Sequence, residues 1–203
     1  MFFCEVPPPE GGETPIGPSW RVAQRMMEEF PEAVKEMEKK GLKYTFRAPP
    51  RPTASFTGRG WPEFLGSSDP AEAVKKNRIL LFWRAKANAD IDVEWLPNGT
   101  ANLNFAQRPL TMVFEGRKGR KMWFNLIHLM YKKEITSVKM MDGTEIPEKI
   151  VRRIEEIIEE EIIQFRWEKG DVLFVDNLAV YHGRRPSLPP RRVLVATCKV
   201  ASV

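Results

Sequence analysis

Trp167-Glu168-Lys169-Gly170-Asp171-Val172-Leu173-Phe174-Val175-Asp176-Asn177-Leu178-Ala179-Val180-Tyr181-His182 is the stretch that decides how this chain reads. Gly170-Asp171 marks a turn, residues 171–175 form an apolar strand, Asp176-Asn177 marks a second turn, and His182 arrives as the chain re-enters a sheet. Arg184-Arg185, Pro186, Pro189, Pro190 and the pair Arg191-Arg192 follow, before a closing strand over residues 192–199. A histidine and an arginine joined by such a turn can face one pocket from adjacent strands. A neutral imidazole binds a metal, and a guanidinium forks a carboxylate. Asp176 and Asn177 are assigned to the turn that aims His182, with no direct chemistry.

Upstream of this stretch, Ile150, Val151, Ile154, Ile157, Ile158, Ile162 and Ile163 recur at helical spacing. They predict a packing helix from just after Pro147 to about Phe165, with the acidic run 155–161 as its solvated face. At the other end of the chain, residues 2–6 read as a strand stopped by Pro7-Pro8-Pro9, with Phe2, Phe3 and Val6 on an exposed sheet edge. Ser19 is positioned to cap a helix through Glu29; Pro31 opens a second helix and Gly41 ends it, a helical hairpin over 19–41. Residues 47–70 are rich in Pro, Gly and Ser and read as a long excursion, a candidate lid with a short strand at 54–57. A short helix at 71–77, strands at 92–96 and 110–115, an Asn98-Gly99 turn and an apolar segment at 121–125 complete the pattern. Many short strands with an inserted helical pair and one late helix predict a single domain over 1–203, mainly antiparallel β with helical decoration.

The 203 residues carry 42% apolar and 29% charged side chains, enough for a core. No apolar run approaches the roughly 18 residues of a membrane span, and no secretory signal opens the sequence, so an intracellular, cytoplasmic protein is expected. The net charge of +5 is spread over short basic groups without a nucleic-acid-binding motif, so no nucleic-acid partner is expected. Cys4 and Cys198 are too far apart for a disulfide framework or a close-spaced zinc site, and both read as reduced core thiols. His128, in an apolar run, reads as a packed histidine. Trp61, Phe64, Trp123 and Phe124 read as core residues before pocket residues.

The segments WxxGDxxxxDNxxxxH at 167–182, RRPSLPPRRVL at 184–194, GGETPI at 11–16, TGRGWPEFLG at 57–66 and RKMWFN at 120–125 occur in this order over most of the chain. Together they resemble the taurine dioxygenase superfamily (TauD/TfdA), non-haem Fe(II)- and 2-oxoglutarate-dependent dioxygenases, and within it the plant clavaminate synthase-like proteins. The resemblance implies a double-stranded β-helix, or jelly roll, and the oxidation of a small organic substrate coupled to decarboxylation of 2-oxoglutarate. His182 matches the distal histidine of the iron-binding facial triad. Arg192 matches the arginine that pairs with 2-oxoglutarate, Arg191 is the adjacent candidate, and Thr14 matches a threonine that contacts the same cosubstrate. Strand alternation puts only one of the two arginines in the pocket.

The family's HxD or HxE segment, which supplies the other histidine and the carboxylate, has no counterpart in this sequence: His128 and His182 are its two histidines, and neither forms HxD or HxE. The jelly roll is therefore expected to be incomplete at the N-terminus and the oxygenase impaired. The alternative expectation is a non-catalytic truncated isoform or pseudoenzyme that acts as a binding or interaction module.

Overall fold

Leu42-Lys43-Tyr44-Thr45-Phe46-Arg47-Ala48 alternates apolar and polar side chains, the period of a strand with one face in a core. The computed structural model describes residues 1–52, 60–76, 91–129 and 135–198. In chain order these form strands β1 (Phe2–Val6) and β2 (Ile16–Pro18), helices α1 (Ser19–Glu29) and α2 (Pro31–Lys40), and strand β3 (Leu42–Ala48). Helices α3 (Trp61–Leu65) and α4 (Pro70–Lys76) follow, then strands β4 (Ile91–Trp95), β5 (Ala101–Arg108), β6 (Met112–Val113), β7 (Lys121–Met122) and β8 (Ile135–Met140). Helix α5 (Glu148–Glu161) and strands β9 (Val172–Leu173), β10 (Val180–His182) and β11 (Arg192–Val195) close the chain. Each pairing of these strands is antiparallel.

The fold divides into two compact units, one of Met1–Glu29, Thr111–Phe124 and Glu155–Val203, the other of Phe30–Leu110 and Asn125–Ile154. The expected helical pair is shared between them: α1 belongs to the first and α2 to the second.

The second unit is built on a four-stranded sheet in the order β4-β5-β3-β8. Leu42, Tyr44 and Ala48 share a face with Leu103, Phe105, Val138 and Met140, all buried, and registers such as Tyr44↔Val138 and Phe46↔Leu103 keep that face apolar. The opposite face is polar: Thr45 donates to Asn104 at 2.7 Å and Asn102 to Glu94 at 3.0 Å. Three of the four strands, β3, β5 and β8, go beyond the sequence expectation. The excursion expected over 47–70 returns to this sheet at Trp61, whose indole donates to the Gly99 carbonyl at 3.1 Å and meets Trp95 edge-on at 4.8 Å. Trp61 is thereby a core residue, and the strand expected at 54–57 lies outside the described residues. Gly41 ends α2 at φ +74° and donates its N–H to Met37 O at 2.9 Å, the termination expected from sequence.

In the first unit β1 is the middle strand of β11-β1-β9, so Phe2, Phe3 and Val6 do not form a sheet edge. The closing strand and residues 172–173 both pair with β1, one along each side. Ser19 does not act as a cap either: it starts α1, and its hydroxyl donates to the Ala179 carbonyl at 3.0 Å. Cys4 is fully buried but Cys198 is exposed, because β11 ends at Val195 and residue 198 lies past the pairing. The long helix stops at Glu161, short of the expected Phe165. Ile163 exchanges both backbone hydrogen bonds with Ile16, at 2.8 Å each, which no helical residue could do. Its side chain is left 73% exposed, while Ile150, Val151, Ile154 and Ile157 are buried at helical spacing. No helix among the described residues is long and apolar enough to cross a membrane.

Leu103→Ala removes a side chain that is 1% exposed and is expected to cost about 2–5 kcal/mol. Arg152→Ala, which removes an exposed i,i+4 pair with Glu148, is expected to change stability by less than about 0.5 kcal/mol. Urea midpoints of the two variants measure both; equal losses would mean that the sheet face is not the core of its unit.

Candidate functional site

Residues 10–18 run antiparallel to residues 180–188 as one continuous ribbon. From its far end, Leu188 N–H donates to Glu10 O at 3.1 Å, Gly12 to Pro186 O at 2.8 Å, Arg185 to Glu13 O at 3.0 Å and Gly183 to Pro15 O at 3.2 Å. The strand pairs His182↔Ile16, Tyr181↔Gly17 and Val180↔Pro18 complete it. The sequence allows this close approach because of Gly11 and Gly12, at φ +68° and +73°. A Cβ on Gly11 would stand 2.4 Å from Pro186 O, and one on Gly12 would stand 2.9 Å from Ser187 Cβ and 3.1 Å from Arg191 Cδ.

The ribbon and β1 place each residue singled out in the sequence. Phe2 and Cys4 point to one side of β1, and the register Phe2↔Val195, Cys4↔Val193 puts Arg191 on that same side by alternation. The His182 ring lies edge-on to Phe2, centroids 5.4 Å apart, against that side. His182 is exposed at the end of β10, and partial desolvation of its ring lowers its pKa, which favours the neutral form. Thr14 is 2% exposed and its Oγ1 accepts a hydrogen bond from Trp167 Nε1 at 3.0 Å.

The two arginines part company. Arg192 is exposed on the other side of β11, with Phe3 and Glu5, and forms an ion pair with the Glu5 carboxylate. Arg191 turns inward, its Nε donating to the Gly12 carbonyl at 3.2 Å. Among the described residues no carboxylate pairs with Arg191. Burial, and then the nearby Arg184 guanidinium, push its pKa below the ordinary arginine value. Arg117 and Arg185 show the opposite: the hydrogen bonds they donate to Asp176 and Glu159 raise theirs. Beside the ribbon, Arg191 therefore carries a positive charge with no carboxylate partner among the described residues.

As a metal site the arrangement is one-sided. His182 is the single imidazole on the ribbon, and the described residues gather no group of three or more His, Cys, Asp or Glu side chains. Facial Fe(II) coordination needs two more protein ligands than this set offers. As a carboxylate site it fits better, with an unneutralised guanidinium beside a turn whose Thr14 is a buried donor. The sequence had marked these residues. It did not reveal the Trp167–Thr14 bond, the Phe2–His182 contact, or the ion pair of Arg117 with Asp176, whose partners lie far apart in the chain. Thr14, Trp167, Asp176 and His182 lie inside the motif-bearing segments, but Phe2 and Arg117 lie outside them.

His182 and the inward Arg191 lie in one antiparallel unit, at the end of β10 and just before β11. Comparison with known proteins gives the kinship. The family model for taurine catabolism dioxygenase TauD, TfdA family, matches residues 1–198. A clavaminate synthase-like protein of Arabidopsis thaliana is 35% identical over 207 residues, covering 98% of this chain and 60% of the relative. The dapdiamide synthesis protein DdaC of Enterobacter agglomerans is 29% identical over 222 residues, covering 97% of this chain and 59% of the relative. A crystal structure assigned to an alpha-ketoglutarate dependent 2,4-D dioxygenase of Burkholderia xenovorans aligns with a TM-score of 0.45 at 14% identity, over 95% of this chain and 58% of that one. The chain belongs to the TauD/TfdA family. It spans about three fifths of the length of the curated relatives it matches.

Gly11→Ala is expected to destabilise by at least about 2 kcal/mol, since it combines a left-handed backbone with overpacking against Pro186 O. Gly143→Ala, at φ +88° with open space around it, incurs only the backbone cost of about 1–2 kcal/mol. Denaturant midpoints compare them; an indistinguishable pair would show that the ribbon is not closely packed at Gly11.

Proposed function

We propose that this chain is the cosubstrate-binding part of an Fe(II)- and 2-oxoglutarate-dependent oxygenase, with the double-stranded β-helix fold of such enzymes and a small organic molecule as its substrate. In this reading Arg191 forks the distal carboxylate of 2-oxoglutarate, Thr14 donates a hydrogen bond to the same cosubstrate, and His182 offers one iron ligand. The observation that carries it is the inward Arg191, held at Nε by the Gly12 carbonyl with no carboxylate partner among the described residues. Its two terminal nitrogens are left to meet a planar anion bidentately. The resemblance pointed first to Arg192, but that residue faces away and is occupied by Glu5, so the anchoring role passes to its neighbour.

Iron and 2-oxoglutarate supply the oxidising chemistry in enzymes of this type. Of the ligands such a centre needs, the described residues offer His182. The role proposed for the described residues is therefore recognition of the 2-oxo acid. A non-catalytic binding module is the second reading. Anaerobic dialysis against Fe(II) separates the two. Weak, substoichiometric binding supports the module, and one iron per chain that disappears in His182→Ala supports the oxygenase.

Arg191→Ala is expected to weaken 2-oxoglutarate binding roughly 10- to 100-fold, the loss of a charge-assisted hydrogen bond of about 1.5–3 kcal/mol. Arg192→Ala is expected to change it by less than about threefold, as for an exposed ion pair. Isothermal titration at fixed salt measures both, and equal or reversed effects would sink the assignment of faces.

A further inference from the structure

We propose that Arg117 is a positioning residue for His182, acting through Asp176 at the turn that leads into β10. This inference rests on the reading of His182 as a functional ligand. Asp176 organises the turn from both its side chain and its main chain. Its Oδ1 accepts the Leu178 N–H at 3.1 Å, and its carbonyl accepts the Ala179 and Val180 N–H groups at 3.0 and 3.2 Å. Val180 is the first residue of β10, and His182 the last. The far side of the turn is tied down by Ser19, whose N–H and hydroxyl donate to Ala179 O at 2.9 and 3.0 Å. Only the Asp176 carboxylate then remains to be oriented.

Arg117 supplies that orientation from the hairpin between β6 and β7. Its Nε donates to Asp176 Oδ2 at 3.1 Å and its Nη2 to Oδ1 at 2.9 Å, a bidentate fork. Its Nη1 donates to the Glu115 carbonyl at 2.5 Å, so the guanidinium plane is held on its other edge as well. The hairpin is itself fixed: Arg117 N–H donates to Phe114 O at 3.3 Å, Arg120 N–H to Arg117 O at 3.1 Å, and the Arg120 guanidinium stacks 4.2 Å above Trp20. Asp176 is 45% exposed at its side chain, and an ion pair that open to water adds little to stability. Two parallel bonds on a carboxylate that already accepts a backbone N–H instead restrict its rotation, and with it the turn. A lysine keeps the charge and loses the fork, which separates geometry from electrostatics.

The test uses the 203-residue chain, labelled with nitrogen-15, whose two histidines give two sets of imidazole signals. Arg117→Lys, Arg117→Ala and Asp176→Asn are compared with the unaltered chain for imidazole signals, amide exchange at Leu178, Ala179 and Val180, and urea midpoint. The expected result is that all three variants shift or broaden the His182 signals and speed exchange at the three amides severalfold. His128 signals and the midpoint should stay in place. Unchanged His182 signals in Arg117→Lys and Asp176→Asn would overturn the proposal. So would a fall in the midpoint that moves His128 equally, which marks a merely structural role. If Arg117→Ala does not fold, the other two variants decide. Iron and 2-oxoglutarate titrations of His182→Ala and Arg191→Ala test the functional reading separately, because the imidazole signals report position whether or not either ligand binds.

Discussion

The pairing of residues 10–18 with residues 180–188 is the constraint on which the candidate site depends. It joins segments from opposite ends of the sequence, and closing so long a loop has an entropic cost that local structure cannot offset. The ladder offsets it with backbone hydrogen bonds and with the close approach that Gly11 and Gly12 allow. Once the ribbon is set, His182 faces Phe2, Arg191 meets the Gly12 carbonyl, and Thr14 receives the Trp167 indole. A side chain at position 11 or 12 would push the two segments apart and move all of these together.

Within this unit the arginines show how partner geometry, more than residue type, sets a role. Arg185 and Arg117 are matched by Glu159 and Asp176 and hold segments in place. Arg192 meets Glu5 at the surface. Arg191 alone of these four has a carbonyl for its only protein acceptor among the described residues. A partly buried guanidinium in that state carries a desolvation cost that pairing does not offset within the described residues.

Elements with a strong local signature were legible in the sequence. The β1 strand, the α2 helix with its proline start and glycine stop, most of α5 and the turns around Gly170 and Gly99 all follow from residue type at short range. Strands β5 and β8 were harder. Ala101–Arg108 and Ile135–Met140 alternate only loosely, and each is fixed by pairing with β3, one on either side. Ile163 illustrates a competition that sequence cannot judge. Its spacing continues the helix, but two backbone bonds to Ile16 remove it.

The motif residues His182, Thr14, Arg191 and Arg192 and the likeness to one family of oxygenases were determined by the sequence by itself, because residue identity and order carry that information directly. Which arginine turns inward was not. Strand alternation says that the two must differ, but the choice rests on the register of β11 against β1, where Cys4 meets Val193 and a bulge follows. A shift of one residue would exchange the two faces. The Arg117–Asp176 fork likewise exists only after the β6–β7 hairpin and the turn before β10 have folded against each other. Register and long-range pairing are properties of two segments at once, and neither segment's sequence contains the other's position.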